Sequence, residues 1–280
     1  MWITGAARVA GVMGWPVKHS RSPRLHGFWL REHGIDGAYV PLAVAPERLA
    51  TALKALPALG FAGVNLTVPH KEAALKIVDR VDPVARRIGA VNTVVVRPDG
   101  TLDGSNTDAY GFLESLKTGA PHWRPADGPA VVLGAGGAAR AVIVALLDAG
   151  VPALRVVNRT RARADDLAAE FGPAVTAHDW GQWSVLADAA LLVNTTSLGL
   201  VGQPELDIDL EKLPTEAVVN DIVYVPLETR LLAAARRRGN SVVDGLGMLL
   251  YQAKPGFHAW FGVEPAVTPA LRAHVAADLL

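Results

Sequence analysis

Short, wholly apolar segments alternate with helix-like segments through the second half of the chain, and this alternation constrains the fold more than any other feature. Strands that lack a polar face are buried on both sides, which is typical of a parallel sheet covered by helices. The predicted strands are 129–133, 154–158, 174–177, 190–194, 217–222 and 241–244. The predicted helices are 138–149, 161–171 and 227–238. Six such strands predict a doubly wound α/β domain.

A glycine-rich turn follows the first of these strands and opens the first of these helices. It contains Gly134, Gly136, Gly137 and Ala138, and the next predicted strand ends 24 residues after Gly134, at Asn158. Glycines at such a turn let the backbone approach a pyrophosphate, which the helix N-terminus then binds. A tight turn that binds nothing is the alternative. The strand before and the helix after favour a Rossmann-type dinucleotide site.

The residues that end the second strand favour NADP over NAD. NAD sites place a carboxylate there for the ribose 2′-hydroxyl, whereas NADP sites place an arginine against the 2′-phosphate. This chain has Asn158, Arg159 and Thr160 at that point, with Arg163 behind them and no carboxylate before Asp165. A guanidinium suits a phosphate. The same arginines are also compatible with a solvated helix start.

The first hundred residues form a second region of alternating strands and helices. The predicted strands are 8–13, 38–44, 63–68 and 90–96. One helix is predicted with Ser22 as its N-cap and Pro23 at its first position, because serine caps helices and proline suits the first turn. Further helices are predicted from Pro46, with its leucines on one face, and from Pro83.

Composition excludes several classes of protein. Lys and Arg number 27 and Asp and Glu number 27, so no basic field exists for nucleic acid or anionic lipid. The absence of cysteine excludes disulfides, thiolate catalysis and zinc–thiolate sites, and no metal site is predicted. The longest apolar run, 141–147, is far shorter than the roughly 18 residues of a membrane span. The first eight residues do not resemble a signal peptide, so a cytoplasmic protein is expected.

Two positions in the first half are suited to binding and proton transfer. Ser20 and Ser22 stand at the mouth of a predicted helix, where hydroxyls and unpaired N–H groups bind a small anion such as a carboxylate. Ser22 is equally well explained as a helix cap. Lys71 is predicted in the first turn of a helix that runs through Leu75, where the helix dipole disfavours a cation. Proton-transfer chemistry would explain a lysine there, and a surface lysine is the alternative.

Three further polar residues stand out by position. Asp108 precedes a predicted helix over 109–116 and is first of all a good N-cap. Asn92 lies in a predicted strand, where asparagine is depleted. Gln252 shares a helical face with Met248. None of the three identifies a site by itself.

Nine blocks of the sequence together resemble shikimate dehydrogenases, in the family's order and over essentially the whole chain. The blocks are residues 14–23, 63–71, 89–93, 106–108, 134–140, 158–160, 194–197, 221–224 and 245–252. Departures from the family pattern are few: Gly27 follows His26 where asparagine is usual, Leu66 replaces valine, and Val225 replaces a frequent asparagine. Modest effects on packing are expected from these departures.

The resemblance implies a two-domain α/β fold with the active site in the cleft between the domains. A substrate-binding domain would comprise 1–107 and be completed by 246–280, and an NADP-binding Rossmann domain would comprise 108–245. The implied reaction is the reversible, NADPH-dependent reduction of 3-dehydroshikimate to shikimate, in the biosynthesis of chorismate and the aromatic amino acids.

The resemblance also implies roles for individual residues. Lys71 and Asp108 match the catalytic pair. The substrate carboxylate would be held by Ser20, Ser22 and Tyr224, and the ring hydroxyls by Thr67, Lys71, Asn92, Asp108 and Gln252. The cofactor residues would be Gly134, Gly136, Gly137, Ala138, Asn158, Arg159, Thr160, Arg163, Thr195, Thr196, Ser197 and Gly245.

Alternative interpretations remain open at this point. A quinate/shikimate dehydrogenase-like enzyme would have broader substrate choice or use NAD, and Arg159 speaks against NAD. A catalytically silent sensor of metabolite and nucleotide would not need both Lys71 and Asp108. Other two-domain dehydrogenases, such as methylenetetrahydrofolate enzymes, would explain the glycine turn but not Ser20 and Ser22. The partner is expected to be a small molecule, and the protein a monomer or a homodimer.

Overall fold

A computed structural model describes residues 3–279, and the chain within them divides into two compact α/β units. The first unit extends to Thr107 and resumes over Gln252–Ala277. The second unit covers Asp108–Tyr251. The two-domain α/β class predicted from the sequence is confirmed.

A six-stranded mixed sheet forms the centre of the first unit. Its strands are β1 (Arg8–Gly14), β2 (Gly37–Ala43), β3 (Phe61–Leu66), β4 (Arg80–Val81), β5 (Thr93–Val96) and β6 (Leu102–Ser105). The order is β2-β1-β3-β5-β6-β4, with β1 parallel to β2 and β3 and with β5 antiparallel to β3 and β6. The helices in this half are α1 (Ser22–Glu32), α2 (Leu49–Ala55) and α3 (Pro83–Ile88).

The leucine face predicted after Pro46 is confirmed. A 3₁₀ turn over Pro46–Arg48 leads into α2, and Leu49, Leu53 and Leu56 are all buried in one apolar cluster with residues of β1, β3 and β5. Leucines three and four apart share a helix face, which explains their common burial.

Two local predictions at α1, Ser22 as its N-cap and Pro23 as its first residue, are corrected. The helix begins at Ser22, so Ser22 is its first residue and Arg21 is the flanking one, which makes no side-chain capping bond. The Ser22 N–H donates instead to Oγ of Ser20, at 3.4 Å. The hydroxyl of Ser22 is therefore not used as the helix cap.

The segment after β3 also differs from its prediction. The strand ends at Leu66, because the chain turns before Pro69, which lacks an N–H for a sheet ladder, and Val68 is exposed. Lys71 lies in a turn, and a short 3₁₀ helix over Ala73–Lys76 replaces the predicted α-helix. The argument from the helix dipole therefore does not apply to Lys71.

The second unit contains a fully parallel sheet of six strands. They are β7 (Ala130–Leu133), β8 (Leu154–Asn158), β9 (Val175–Asp179), β10 (Leu191–Asn194), β11 (Val218–Asp221) and β12 (Val242–Val243). The order is β12-β11-β10-β7-β8-β9, which reverses direction between β7 and β10. This is the doubly wound order of dinucleotide-binding domains, and ligands bind at such a reversal, outside the carboxyl ends of the strands.

The helices of this unit are close to their predicted bounds. They are α4 (Asp108–Gly119), α5 (Gly137–Ala149), α6 (Arg161–Phe171) and α7 (Arg230–Arg238). The first part of α8 (Leu246–Phe261), for which no bounds were predicted, also belongs to this unit. Helix α7 begins later than predicted because the Thr229 side chain caps it, accepting the Leu232 N–H at 3.3 Å. Asp108, predicted as a cap, is the first residue of α4.

Helix α8 crosses the boundary between the units, which falls between Tyr251 and Gln252. Its second half and the last helix, α9 (Pro269–Ala276), belong to the first unit. Phe257 and Trp260 of α8 are fully buried there. Among the described residues, no helix has the length and apolar character to cross a membrane.

Candidate functional site

The glycine turn of the second unit leaves a helix N-terminus open. Gly134, with φ of +103°, adopts a conformation that other residues avoid, and a Cβ there would lie 2.8 Å from Oγ1 of Thr195. A Cβ on Gly136 or Gly137 would meet nothing within 4 Å, and no side chain caps α5. The first N–H groups of α5 therefore face open space that suits an anion, and Ala138 lies in this first turn.

The loop after β10 lies directly beside this turn. In the sheet register Leu133 of β7 is level with Asn194 of β10, and the Thr195 hydroxyl donates to the Leu133 carbonyl at 2.6 Å. Oδ1 of Asn194 accepts both the N–H and the hydroxyl of Thr196, at 3.0 and 2.8 Å. Ser197 is exposed at the tip. The predicted cofactor residues of the two loops are thus neighbours.

The arginines after β8 divide into one that is paired and two that are not. Arg161 forms ion pairs with Asp165 at 2.9 Å and with Asp179 at 3.3 Å. Arg159 and Arg163 are exposed and form no ion pair within residues 3–279. The Asn158 side chain donates to the carbonyl of Thr160 at 2.8 Å and holds this turn closed. Two guanidinium groups at the end of β8 are therefore available for an anion.

Asp221, at the end of β11, is a buried carboxylate whose importance no sequence pattern indicates. Asp221 accepts hydrogen bonds from Asn194 at 2.9 Å, from the Val223 N–H at 3.0 Å and from Thr229 at 2.7 Å. Burial raises its pKa to about 6, against the opposing effect of these three donors. Tyr224 follows within this loop and is half-buried.

Gly245 lies beside the loop that follows β11. Its N–H donates to the Val223 carbonyl at 3.3 Å, and a Cβ on it would collide with the backbone carbonyl of Ile222. Only glycine allows this close approach between the chain before α8 and the loop after β11.

In the first unit, Ser20 and Ser22 are adjacent, as their hydrogen bond shows, and Ser22 is buried. Thr67 and Lys71 lie on one loop at the carboxyl end of β3, where both are half-buried. The Thr67 carbonyl accepts the His70 N–H at 2.9 Å, and the Lys71 carbonyl accepts the Val91 N–H at 2.8 Å. The second bond places Lys71 beside the segment that carries Asn92.

Asn92 lies just before β5, which explains an asparagine that was unusual for a strand. Its Nδ2 donates to Oγ1 of Thr107 at 3.1 Å, and its Oδ1 accepts the Thr107 N–H at 2.9 Å. The Thr107 hydroxyl lies 3.5 Å from Oε1 of Gln252. Asn92 and Gln252 are therefore brought together around Thr107, the residue that precedes Asp108. No group of His, Asp or Glu side chains within the described residues is arranged to hold a metal ion.

The fold and the open helix N-terminus of the second unit define a dinucleotide-binding protein. Residues 12–94 match the family described as shikimate dehydrogenase substrate binding domain, and residues 124–198 match the family described as shikimate / quinate 5-dehydrogenase. The chain belongs to the shikimate dehydrogenase family.

Individual relatives cover nearly the whole chain. A protein of Paramagnetospirillum magneticum named shikimate dehydrogenase (NADP(+)) is 66% identical over 98% of this chain and 99% of its own. A protein of the same name from Rhodospirillum rubrum is 65% identical over 98% of both chains. The crystal structure of shikimate 5-dehydrogenase from Thermus thermophilus with NADP(H) and shikimate has a TM-score of 0.86, with 44% identity over 98% of this chain and 100% of its own.

A related structure carries a different substrate name. Quinate dehydrogenase from Corynebacterium glutamicum in complex with NAD has a TM-score of 0.89, with 34% identity over 97% of this chain and 99% of its own. The fold is therefore shared by relatives that differ in both substrate and nicotinamide cofactor.

Proposed function

We propose that this protein catalyses the reversible, NADPH-dependent reduction of 3-dehydroshikimate to shikimate in aromatic amino acid biosynthesis. The observation that carries the proposal is the 66% identity to a shikimate dehydrogenase (NADP(+)) over almost all of both chains. In this reaction a ketone, NADPH and a proton give an alcohol and NADP⁺, so atoms and charge balance.

The second unit is assigned to the cofactor. The open N-terminus of α5 fits a pyrophosphate, because Gly136 and Gly137 leave the approach to the backbone free. NADPH supplies the hydride when it is bound. The residues assigned to holding it are Gly134, Gly136, Gly137, Ala138, Asn158, Arg159, Thr160, Arg163, Thr195, Thr196, Ser197 and Gly245. The unpaired Arg159 and Arg163 support NADP rather than NAD.

The first unit is assigned to the substrate, together with Tyr224 and Asp108 of the second. Ser20, Ser22 and Tyr224 are assigned to the carboxylate of shikimate, and Thr67, Asn92 and Gln252 to the ring hydroxyls. The proximity of Ser20 to Ser22, and of Asn92 to Gln252, supports this division. In domain terms, we assign 1–107 with 246–280 to substrate binding and 108–245 to NADP binding.

Lys71 and Asp108 are assigned as the catalytic pair. Reduction of the ketone leaves an alkoxide oxygen that requires a proton. In this assignment the Lys71 ammonium polarises the carbonyl and donates a proton to this oxygen, and the Asp108 carboxylate binds a ring hydroxyl of the substrate. The bond from the Val91 N–H holds the Lys71 backbone beside the segment that carries Asn92, which is assigned to a ring hydroxyl.

Initial rates with two substrates and two cofactors test the function. Shikimate and quinate are each paired with NADP⁺ and with NAD⁺, and nicotinamide reduction is followed by absorbance. Rapid turnover only with shikimate and NADP⁺ is expected. Comparable rates with quinate or NAD⁺ would assign a broader dehydrogenase, and binding without turnover would assign a sensor. A cytoplasmic location and a monomeric or homodimeric state stay predictions.

A further inference from the structure

The hydroxyl of a buried tyrosine joins two parts of the proposed substrate site. Tyr39, on β2, is buried, and its hydroxyl lies 2.6 Å from Oδ1 of Asn65. The orientation of the Asn65 amide is fixed, because its Nδ2 lies 3.1 Å from the carbonyl of Asn92, which can only accept. Oδ1 of Asn65 therefore accepts, and Tyr39 must donate to it.

The hydroxyl of Ser22 is a second hydrogen-bond partner of the Tyr39 hydroxyl. Burial raises the pKa of Tyr39 well above 10, and a hydrogen bond from Ser22 opposes this rise. The single hydroxyl hydrogen of Tyr39 is already donated to Asn65, so the hydrogen bond between Ser22 and Tyr39 has Ser22 as its donor. Ser22 thus donates to Tyr39, which donates to Asn65.

Beyond Asn65 the donors continue in the same direction. Nδ2 of Asn65 also donates to Oγ1 of Thr93 at 3.1 Å, and the Thr93 hydroxyl donates to Oδ1 of Asn92 at 2.9 Å. Asn92 in turn donates to Thr107. One continuous series of hydrogen bonds, all buried, therefore connects Ser22 at the start of α1 with Asn92 before β5.

The ring of Tyr39, which carries this central hydroxyl, packs against two other aromatic side chains. His26 stacks on it with 3.9 Å between ring centroids, and Trp260 packs at 6.0 Å. A ring fixed in this way cannot turn its hydroxyl away from Asn65 without disturbing the close-packed core.

We infer that Tyr39 is a positioning residue for substrate binding, whose hydroxyl fixes the side chains of Ser22 and, through Asn65 and Thr93, of Asn92. The inference rests on the proposed function, because that function assigns Ser22 and Asn92 to the substrate. Tyr39 itself is not assigned a contact with substrate.

The test is Tyr39→Phe, which keeps the ring and removes the hydroxyl. Loss of the hydroxyl leaves Oδ1 of Asn65 without its donor and Ser22 free to rotate. The KM for shikimate should rise about tenfold, which corresponds to about 1.4 kcal/mol and is of the size expected for one lost buried hydrogen bond. The KM for NADP⁺ should stay within about twofold of the wild-type value, because no cofactor residue is touched.

Trp29→Phe is the matched control. Trp29 belongs to the same aromatic cluster, and its Nε1 donates to the Ala266 carbonyl at 2.9 Å, outside the series that begins at Ser22. Both variants keep an aromatic ring in the cluster and remove its hydrogen-bonding group, but only Tyr39→Phe should change the KM for shikimate. Equal changes in the two variants, or an unchanged KM in Tyr39→Phe, would overturn the inference.

A second variant covers the case in which Tyr39→Phe does not fold. Thr93→Val keeps the branched shape that suits a strand and removes the bond to Asn92, so it should also raise the KM for shikimate. An unchanged KM would overturn the inference.

Wild-type turnover and shikimate binding, measured beside the variants, distinguish the proposed function from the proposed role of Tyr39. A wild type that neither binds nor turns over shikimate refutes the proposed function, whereas an active wild type with unresponsive variants refutes only the role of Tyr39.

Discussion

The imidazole of His26 lies flat on the ring of Tyr39, with 7° between the two planes. His26 is fully buried, and within the described residues neither ring nitrogen has a hydrogen-bond partner of normal geometry. Trp260, Trp29 and Phe257 also pack against it, at 5.7, 5.8 and 5.9 Å between ring centroids. Burial lowers the pKa of His26 to about 3, against a smaller opposing effect of Asn65. The folded protein therefore holds this histidine neutral.

We expect His26 to make the protein less stable in mild acid. The unfolded chain takes up a proton on His26 below about pH 6.5, whereas the folded protein does so only near pH 3, so stability falls as pH falls through this window. Between pH 7 and pH 5 the loss is about 2 kcal/mol. His26→Phe should remove it, as measured by urea unfolding at both pH values. Trp29→Phe removes no group that titrates between pH 5 and pH 7. The loss in unfolding free energy that this substitution causes should therefore be the same at both pH values. If the unfolding free energies of wild type and His26→Phe decrease equally between pH 7 and pH 5, His26 is not held neutral in the folded protein.

Asp221 should have the opposite pH dependence. Its folded pKa of about 6 lies above the ordinary value of 3.8, so the folded state holds a proton that the unfolded chain has lost, and stability decreases as pH rises from about 4 to 6. The difference corresponds to about 3 kcal/mol. The full difference is reached only well below pH 3.8, so Asp221→Asn should gain about 2.4 kcal/mol relative to wild type between pH 4 and pH 7, in the same unfolding experiment. Thr229→Val removes a hydrogen-bond donor that lowers the pKa of Asp221. The decrease in stability should therefore extend to higher pH in this variant.

Alanine substitutions at two glycines of the cofactor turn should distinguish an effect on cofactor binding from an effect on stability. Gly137→Ala meets open space and should fold as well as wild type, but its methyl group would stand where a pyrophosphate approaches, so NADP⁺ binding should weaken at least tenfold. Gly134→Ala is strained by its φ of +103° and its contact with Thr195, so it should also lower the melting temperature. Calorimetric titration with NADP⁺ and thermal unfolding distinguish the two effects. Unchanged NADP⁺ affinity in Gly137→Ala would place the cofactor elsewhere.

The arginines at the end of β8 offer a matched pair of variants. Arg159→Gln should raise the KM for NADP⁺ about tenfold or more and leave the KM for NAD⁺ nearly unchanged, because only NADP⁺ carries the 2′-phosphate. Arg161→Gln removes a guanidinium that is already paired with Asp165 and Asp179, so it should affect both cofactors little. Steady-state kinetics give the KM of each variant for NADP⁺ and for NAD⁺. Equal responses of the two variants would mean that Arg159 does not contact the phosphate.

Replacing Lys71 tests the proposed proton transfer. Lys71→Ala should lower kcat for shikimate oxidation by about 10²–10⁴, the usual range for general acid–base groups, with a smaller change in KM. Lys76→Ala, on the exposed side of the neighbouring 3₁₀ helix, is the control and should retain full activity. Wild-type turnover in Lys71→Ala would remove this residue from the mechanism.

The parallel sheet could be predicted from sequence because its determinants are local. Strands such as β7 and β10 are short runs of aliphatic residues, and glycines stand directly after α5 and α7 in the left-handed conformation that ends a helix. Errors occurred where side-chain chemistry decided the boundary. The start of α7 depended on Thr229, and the end of β3 depended on the turn before Pro69.

The buried polar contacts could not be predicted in the same way. Tyr39 and Asn65 are 26 residues apart, and Asp221 receives donors from Asn194 and Thr229 as well as from its own loop. No periodic pattern marks such pairs, because they depend on which loops the fold brings together. The glycine turn and Arg159 could be recognised from their sequence pattern, whereas the roles of residues such as Thr67, Tyr224 and Gln252 came from family resemblance. The individual roles stay predictions.

The position of the unit boundary inside α8 has a consequence for synthesis of the protein. Phe257 and Trp260, which fill the aromatic cluster around His26, are translated long after the strands they cover, and Trp260 bonds to the Val94 carbonyl across 166 residues. The second unit can assemble on the ribosome as soon as its own residues emerge. The first must wait with an unfilled core until residues 252–277 leave the exit tunnel, so a nascent chain arrested near Tyr251 should expose the surface that chaperones bind.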